Sequence, residues 1–260
     1  MFKETYIENI IYTSEIMKRK GVSPIISVVV ITATLMVILV VASFFATNLL
    51  EIQMQSSEFE QAKTAILLLD KTIIDVSLRP GAASSVQFNQ RSGGIGMYEG
   101  EPINMKIINA SNSEVLWSTT INPSYVIKYH GGSMVPAAEA NLTNPGGLIV
   151  DMSKPLGYAR IEAGNGVWIV LDYNRVRVTA NEELGTIDIY LIRLEPGRFG
   201  GSGTVSVRVQ NMDINVTSLR LNGSGNLKVR VEVGGLYEEQ GPFRASSVRV
   251  IEVRVRISIV

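Results

Sequence analysis

The chain has 260 residues, and its 24 lysines and arginines are balanced by 24 aspartates and glutamates, so its formal net charge is zero. This balance argues against nucleic-acid binding, which depends on an excess of clustered basic residues. There is no cysteine and only one histidine, His130, which excludes disulfides, thiolate zinc sites and any multi-histidine metal site within one chain. We therefore predict a protein that is not an enzyme and that holds no metal or cofactor.

The first predicted element is a hydrophobic helix, because the 29 residues from 22 to 50 include no charged residue. About 20 apolar residues are enough to cross the hydrocarbon core of a bilayer as a helix. A buried helix of a soluble protein rarely stays apolar on all faces for so long. A cleavable secretory signal is the other alternative, but its apolar region is shorter and a small-residue cleavage site should follow it. The run predicts a retained transmembrane helix.

The charges on either side of this segment predict its orientation. Lys18, Arg19 and Lys20 precede the apolar run, whereas Glu51 and Glu58 follow it. Positively charged flanks stay on the cytoplasmic side of a membrane. The N-terminus is therefore expected in the cytoplasm, and the chain after residue 51 is expected outside the cell.

The junction that leads into the helix has a distinctive sequence. It is Lys-Arg-Lys-Gly at 18–21 and Val-Ser-Pro-Ile-Ile at 22–26, followed directly by the apolar run. Glycine lets an extended chain enter a protease site close to the membrane, and Pro24 is tolerated at the start of a helix. This junction resembles that of archaeal type IV pilins and archaellin-like proteins. In that family a prepilin peptidase cuts on the cytoplasmic side of the hydrophobic helix.

The resemblance implies cleavage after residue 21, so that residues 1–21 are a leader and 22–50 remain on the mature protein. The processing-site residues would be Lys18, Arg19, Lys20, Gly21 and Val22. It also implies that an assembly ATPase and a platform protein of the pilus type move the helix from the membrane into a filament core. Ile26 stands where bacterial-type pilins carry a glutamate, and many archaeal members lack that acid.

Residues 51–80 are predicted to continue the helix in amphipathic form. Pro80 and Gly81 are expected to end it. The apolar side chains recur at alternating three- and four-residue spacing, and this helix stripe consists of Phe59, Ala62, Ile66, Leu69, Ile73 and Val76. The stripe packs either on the chain's own β domain or on the helices of neighbouring subunits, and the two can coexist on different faces.

From about residue 84 onward, apolar and polar residues alternate with period two, as in half-buried antiparallel strands. The clearest segments are 103–107, 204–209, 227–233 and 253–259, while 167–171 and 189–192 are apolar on both faces and are typical of central strands. Adjacent apolar residues at Val250 and Ile251 break the alternation and predict a β-bulge.

These patterns predict an α+β, membrane-anchored protein: a long N-terminal transmembrane and amphipathic helix followed by an antiparallel β-sandwich over 84–260. The β region is either one domain or two modules that divide near 130–165, where the sequence is least regular.

Few residues of the β region indicate chemistry. Asp172, Asp188 and His130 have no nucleophile or ligand partner at a recognisable spacing, so we expect structural roles for them. Basic residues alternate with valine along several strands, which is typical of a solvated face with acidic cross-strand partners such as Glu232 and Glu252. Four Asn-x-Ser/Thr acceptors for N-glycosylation occur at Asn109, Asn141, Asn215 and Asn222.

Two functions from different classes fit this sequence. The leading hypothesis is a pilin-like structural subunit of an archaeal surface filament, which associates with other copies of itself through the hydrophobic helix after leader cleavage. The alternative is a single-pass membrane-anchored ectodomain that does not polymerise and binds a cell-envelope component, a ligand or a partner protein.

Overall fold

The computed structural model describes residues 24–181 and 183–260, apart from the side chains of Asn222 and Ser224. The chain divides into two compact units, one that ends at Glu51 and one that comprises Ile52–Val260. One helix, α1, spans Pro24–Ser77 and contributes to both units. No glycine or proline follows Pro24 within this helix, so nothing in the sequence interrupts its hydrogen bonding.

In the first unit, α1 is an apolar helix with its side chains exposed. An 18-residue window has a mean hydropathy of 3.0, and none of it is buried. By length and composition alone, this helix can cross a membrane. Its hydroxyl groups are satisfied within the helix, since Thr32, Thr34 and Thr47 each donate to the carbonyl oxygen four residues earlier.

Among the described residues, the second unit contains residues 52–77 of α1 and thirteen strands. In chain order the strands are β1 (Ala83–Gln90), β2 (Gly94–Gly100), β3 (Ile103–Asn109), β4 (Val115–Ile121), β5 (Ser124–His130), β6 (Ala140–Asn141), β7 (Ile149–Val150), β8 (Tyr158–Gly164), β9 (Gly166–Asp172), β10 (Val176–Asn181), β11 (Thr186–Pro196), β12 (Gly203–Val233) and β13 (Leu236–Ile259). The prediction of one long apolar helix followed by a β-rich domain is confirmed.

The strands form two sheets. The large sheet has the order β4-β3-β12-β13-β11-β10-β7, with β1 paired to the first part of β12, and the small sheet has the order β2-β5-β9-β8-β6. Most neighbours are antiparallel, as predicted, but β11 with β13 and β10 with β7 are parallel pairs. The β12–β13 hairpin is the longest feature, and its register shifts between Asn211 and Asp213 and at two further places.

Two hydrophobic cores lie within the second unit. The first, which we call the helix core, combines the helix stripe with side chains from both sheets. The second, the sheet core, contains side chains of the large sheet alone, so this sheet must curve around it. Strands β11, β12 and β13 contribute to both cores.

The change of core explains the break in alternation near the C-terminus. Val248 and Val250 point into the sheet core, whereas Val253 and Val255 point into the helix core. The pairing of β13 with β11 continues without a shift through this region, and so does its pairing with β12 at Val250 and Ile251. The predicted bulge at this position is therefore wrong, because an unbulged strand buries one face first and then the other.

We predict that truncating the helix stripe destabilises the domain strongly. Leu69→Ala should lower the free energy of unfolding by about 2–5 kcal/mol, since Leu69 is fully buried and its loss leaves a cavity. Leu68→Ala is the matched control, because the neighbouring leucine is 52% exposed and surface changes usually stay within about 0.5 kcal/mol. Denaturant unfolding of the full chain in detergent micelles measures both. Equal effects of the two substitutions would contradict the packing.

Candidate functional site: the N-terminal helix and its attachment to the β domain

The exposed apolar half of α1 is the feature of the chain with the clearest functional consequence. Large side chains from Ile25 to Leu50 are exposed, including the adjacent rings of Phe44 and Phe45. In water, each such side chain costs about 1.5–3 kcal/mol relative to a buried one. The segment therefore needs an apolar surrounding, either lipid or other helices. The five predicted processing residues, 18–22, lie outside the described residues.

The helix stripe has a different environment. All six of its residues are at most 4% exposed, and they pack in the helix core of their own domain. The sequence left open whether these side chains meet the chain's own sheets or a neighbouring subunit, and the structure places them against the chain's own sheets. These six side chains are therefore covered within their own domain, and their predicted contribution to assembly stays a prediction.

Glu58 attaches the helix to the turn between β1 and β2. Its carboxylate accepts hydrogen bonds from the backbone N–H groups of Arg91, Ser92 and Gly93 at 3.0–3.1 Å. The hydroxyl groups of Ser92 and Tyr129 donate to it at 2.5 and 2.9 Å. Burial raises the pKa of Glu58, but these hydrogen bonds outweigh burial and leave the pKa below its usual value of 4.5. The site thus holds Glu58 as a carboxylate.

Asp70 makes a second attachment, and its pKa is shifted in the opposite direction from that of Glu58. The Tyr173 hydroxyl donates to its Oδ1 at 2.5 Å. Burial dominates here and raises the pKa of Asp70 above 3.8, although the Tyr173 hydrogen bond and the charges of Arg175 and Lys71 oppose this shift. A Cβ at Gly157 would collide with the Asp70 carboxylate, so a glycine is needed for this close approach.

The C-terminal end of α1 is attached through the bulge in β12. Asn211, at the register shift of that strand, donates through Nδ2 to the carbonyl oxygens of Val76 and Ser77 at 3.1 and 3.2 Å. Carbonyls in the last turn of a helix lack intrahelical partners, and Asn211 supplies one. The Tyr190 hydroxyl donates to Ser77 Oγ at 2.8 Å.

These attachment residues were not predicted from the sequence. Gln55, Glu58, Asp70 and Ser77 are buried polar residues on the helix, and each stands one to four residues from an apolar member of the stripe. Their position beside the apolar residues of the helix stripe could have indicated a buried attachment. A polar residue on a buried face requires a hydrogen-bonding partner.

Asp172 and Asp188 lie in different sheets and in separate ion pairs. Asp172 in β9 pairs with Arg160, and Asp188 in β11 pairs with Arg249. His130 is the last residue of β5, and the centroid of its ring is 4.5 Å from that of Trp168. Within the described residues, no group of three metal-ligating side chains comes together.

Of the two predicted acidic partners, Glu252 pairs with a basic residue, whereas Glu232 lies opposite Tyr237 and Asn104. Glu252 pairs with Arg193 across β13 and β11, and Glu239 pairs with Arg230 and Lys228 across the hairpin. Arg175 is buried and donates instead to the carbonyl oxygens of Asn144 and Gly146. Cross-strand acidic partners thus account for several of these charges.

The glycosylation acceptors occupy different surroundings. Asn215 is exposed in the middle of β12, and Asn141 is exposed at the end of β6. Asn109 is partly exposed at the end of β3. The side chain of Asn222 lies outside the described part of the chain.

Comparison with known proteins provides no relative, since no family model, curated protein or solved structure matches the chain.

We predict that Glu58→Gln destabilises the domain by about 1.5–3 kcal/mol at neutral pH, because bonds to a charged acceptor are lost. The matched control is Glu60→Gln, since Glu60 is exposed and pairs with Lys63 on the same helix; its effect should stay below about 0.5 kcal/mol. The stabilisation by Glu58 is fully present above pH 4.5 and is lost as pH falls through the lowered pKa. The difference between wild type and Glu58→Gln in urea unfolding should therefore shrink at low pH; a constant difference would contradict the assignment.

We predict the opposite pH dependence for Asp70→Asn. The raised pKa of Asp70 means that the wild type loses stability as pH rises from 3.8 through the folded-state pKa. Asparagine keeps an acceptor for Tyr173 and does not titrate. The stability of Asp70→Asn relative to wild type should therefore increase between pH 3 and pH 7, as measured by denaturant unfolding. A decrease over that range would show that Asp70 is stabilised as a carboxylate.

Proposed function

We propose that this protein is a pilin-like structural subunit of an archaeal surface filament, assembled through its N-terminal helix after removal of a leader. The observation that supports this most directly is the apolar, exposed segment of α1 at Pro24–Leu50. Only Val22 and Ser23 separate it from the Lys-Arg-Lys-Gly sequence at 18–21. This combination matches a precursor that is cut before its hydrophobic helix and keeps that helix.

In this proposal the helix has two successive environments. It first spans the cell membrane once, with the basic flank inside and the β domain outside. An assembly ATPase and a platform protein then transfer it into a filament, where other copies of the helix replace the lipid. Little apolar area meets water at either stage, since contacts between helices replace contacts with acyl chains.

The difference in burial between the two parts of α1 supports assembly contacts in the exposed part. The helix stripe is already covered by the chain's own sheets, so it does not serve as the contact between subunits. The remaining large apolar surface is the exposed segment before Glu51. Neighbouring copies would therefore meet through residues 24–50.

The alternative is an anchored ectodomain that does not polymerise. One observation favours it: the β domain completes its hydrophobic cores without side chains from a neighbouring subunit. In that case lipid is the permanent surrounding of residues 24–50, and the exposed surface of the domain would bind a component of the cell envelope or a partner protein.

We predict that Gly21 is required for maturation. A bulky substitution, Gly21→Leu, should leave the precursor uncut by prepilin peptidase, whereas Gly21→Ala should be processed because the family accepts alanine at this position. N-terminal sequencing and gel mobility of the protein from the producing cells measure the result. Wild type should begin at Val22. A mature chain that begins at Met1 or after the apolar run would contradict the proposal, as would normal processing of Gly21→Leu.

Filament formation is tested separately by electron microscopy of material sheared from the cells. Polymers that contain this chain should be present in wild type and absent in Gly21→Leu. A protein cut at Gly21 that occurs only as a monomer in the membrane would favour the anchored ectodomain.

A further inference from the structure

The outer face of the large sheet carries a depression near the end of β11, the start of β12 and the end of β13. Side chains of these strands alternate between the helix core, to which Val207 and Ile257 belong, and this outer face. The depression has a volume of about 610 Å³. Its polar lining residues are Arg198, Arg208, Gln210, Arg256 and Ser258.

The register of the β12–β13 hairpin brings two of these arginines together. Arg208 lies opposite Ser258, and Gln210 lies opposite Arg256. Arg208 and Arg256 are therefore diagonal neighbours on one face of the sheet, with their Cβ atoms roughly 7–8 Å apart. Long side chains at this separation can reach each other, so both guanidinium groups can contact one ligand.

Arg198 joins this pair from the loop that follows β11. Its carbonyl oxygen accepts the Ile259 N–H at 2.7 Å, and the Gly197 N–H donates to the Ile257 carbonyl oxygen at 2.7 Å. A Cβ at Gly197 would collide with Ser258, so only glycine allows the loop to lie this close. The loop is fixed against β13 in this way, with Arg198 at the rim of the depression.

The positive charge of these arginines is only partly compensated. No acidic side chain of the described residues lines the depression. Arg198 and Arg208 form no ion pair with any residue that the structure describes, whereas Arg256 Nη2 is 3.5 Å from Glu195 Oε2. The same carboxylate is also 3.7 Å from Arg254 Nη1. Two of the three lining arginines thus lack an acidic side-chain partner.

Val260, the last residue of the sequence, also lines the depression. Its main-chain oxygen accepts the Ser206 N–H at 3.2 Å, and its N–H donates to the Ser206 carbonyl oxygen at 2.9 Å. A carboxylate at Val260 and the Glu195 carboxylate together offset two of the three arginine charges. An excess of positive charge therefore remains in the depression.

The size and chemistry of the depression indicate a ligand larger than a simple ion. Guanidinium groups bind carboxylates and phosphates through paired hydrogen bonds. A volume of about 610 Å³ lies within the usual range of small-molecule sites. The side chains of Gln210 and Ser258 make no hydrogen bond within the described part of the chain, and both can donate and accept. The ring hydroxyl groups of a sugar need such partners.

We propose that this depression binds an acidic unit of a saccharide. Arg198, Arg208 and Arg256 contact its carboxylate or phosphate group, while Gln210 and Ser258 contact its ring hydroxyl groups. All five residues come from one copy of the chain, so binding of the saccharide does not depend on filament formation.

Titration calorimetry of the full chain tests the class of ligand. The protein is held in micelles of a polyoxyethylene detergent, which carries neither charge nor sugar. The probes are glucuronate and glucose 6-phosphate, and the controls are glucose and inorganic phosphate. At least one acidic sugar should saturate the protein, with an affinity that falls as salt is added. Both controls should bind at least about tenfold more weakly, since each lacks part of the hydrogen-bonding groups.

The tighter of the two acidic sugars identifies the anionic group that the arginines bind. Absence of saturation with both acidic sugars would overturn the inference. An affinity for glucose or for inorganic phosphate equal to that for the acidic sugar would overturn it as well.

The location of the site is tested with Arg208→Gln. This change should weaken binding of the acidic sugar at least about tenfold, because hydrogen bonds to a charged group are lost. Arg220→Gln is the matched control, since Arg220 is an exposed arginine of the same strand that does not line the depression. Its affinity should stay within about twofold of wild type. Equal losses in the two variants would show a general attraction of charge and contradict the site.

Arg198→Gln provides a second variant, in case Arg208→Gln alters folding. The loop should keep its position, because Arg198 is held there through its carbonyl oxygen. Urea unfolding of each variant shows whether the domain is intact. Wild-type affinity in a variant that unfolds like wild type would overturn the assignment of that arginine, and wild-type affinity in both would overturn the site.

Discussion

The packing of residues 52–77 of α1 into the β domain is the constraint on which the rest of the structure depends. The helix stripe supplies six side chains to a core that both sheets share, and each large side chain contributes about 1.5–3 kcal/mol by burial. Glu58, Asp70 and the Asn211 contact with the last turn then determine how the helix lies on the sheets. Because this half of the helix belongs to the domain, most of the exposed apolar side chains of α1 lie in the half before Glu51.

The two buried carboxyl groups on the helix have pKa values shifted in opposite directions, because their hydrogen-bond donors differ. Glu58 lies where backbone N–H groups converge, so its charge is compensated by several donors. Asp70 has the Tyr173 hydroxyl as its side-chain donor and is more affected by loss of water. Burial of an acid is stabilising only when donors replace the water that is lost. Glu58 meets this condition and fixes the helix, whereas Asp70 meets it less fully.

Much of the fold could be predicted from the sequence, because its periodicities are strong. The helix, its apolar half and strands such as 227–233 follow from local patterns. The sequence could not show that Val250 and Val253 face different cores, since a change of face and a β-bulge both place apolar residues out of phase. It also could not show which partner covers the helix stripe, because the same apolar spacing suits a sheet or another helix. The attachment residues escaped for a related reason: their donors come from turns and strands more than 30 residues away.

The stripe half of α1 packs in its own domain, and we propose that the exposed half meets other copies of itself. Since the chain has no cysteine, single cysteines can be introduced and oxidised without background. In sheared surface material, Ala42→Cys should form disulfide-linked dimers of the chain, because Ala42 is exposed on the apolar segment. Ile66→Cys, in the stripe, should form none, because Ile66 is fully buried in its own domain. Dimers from Ile66→Cys, or none from Ala42→Cys, would contradict the account.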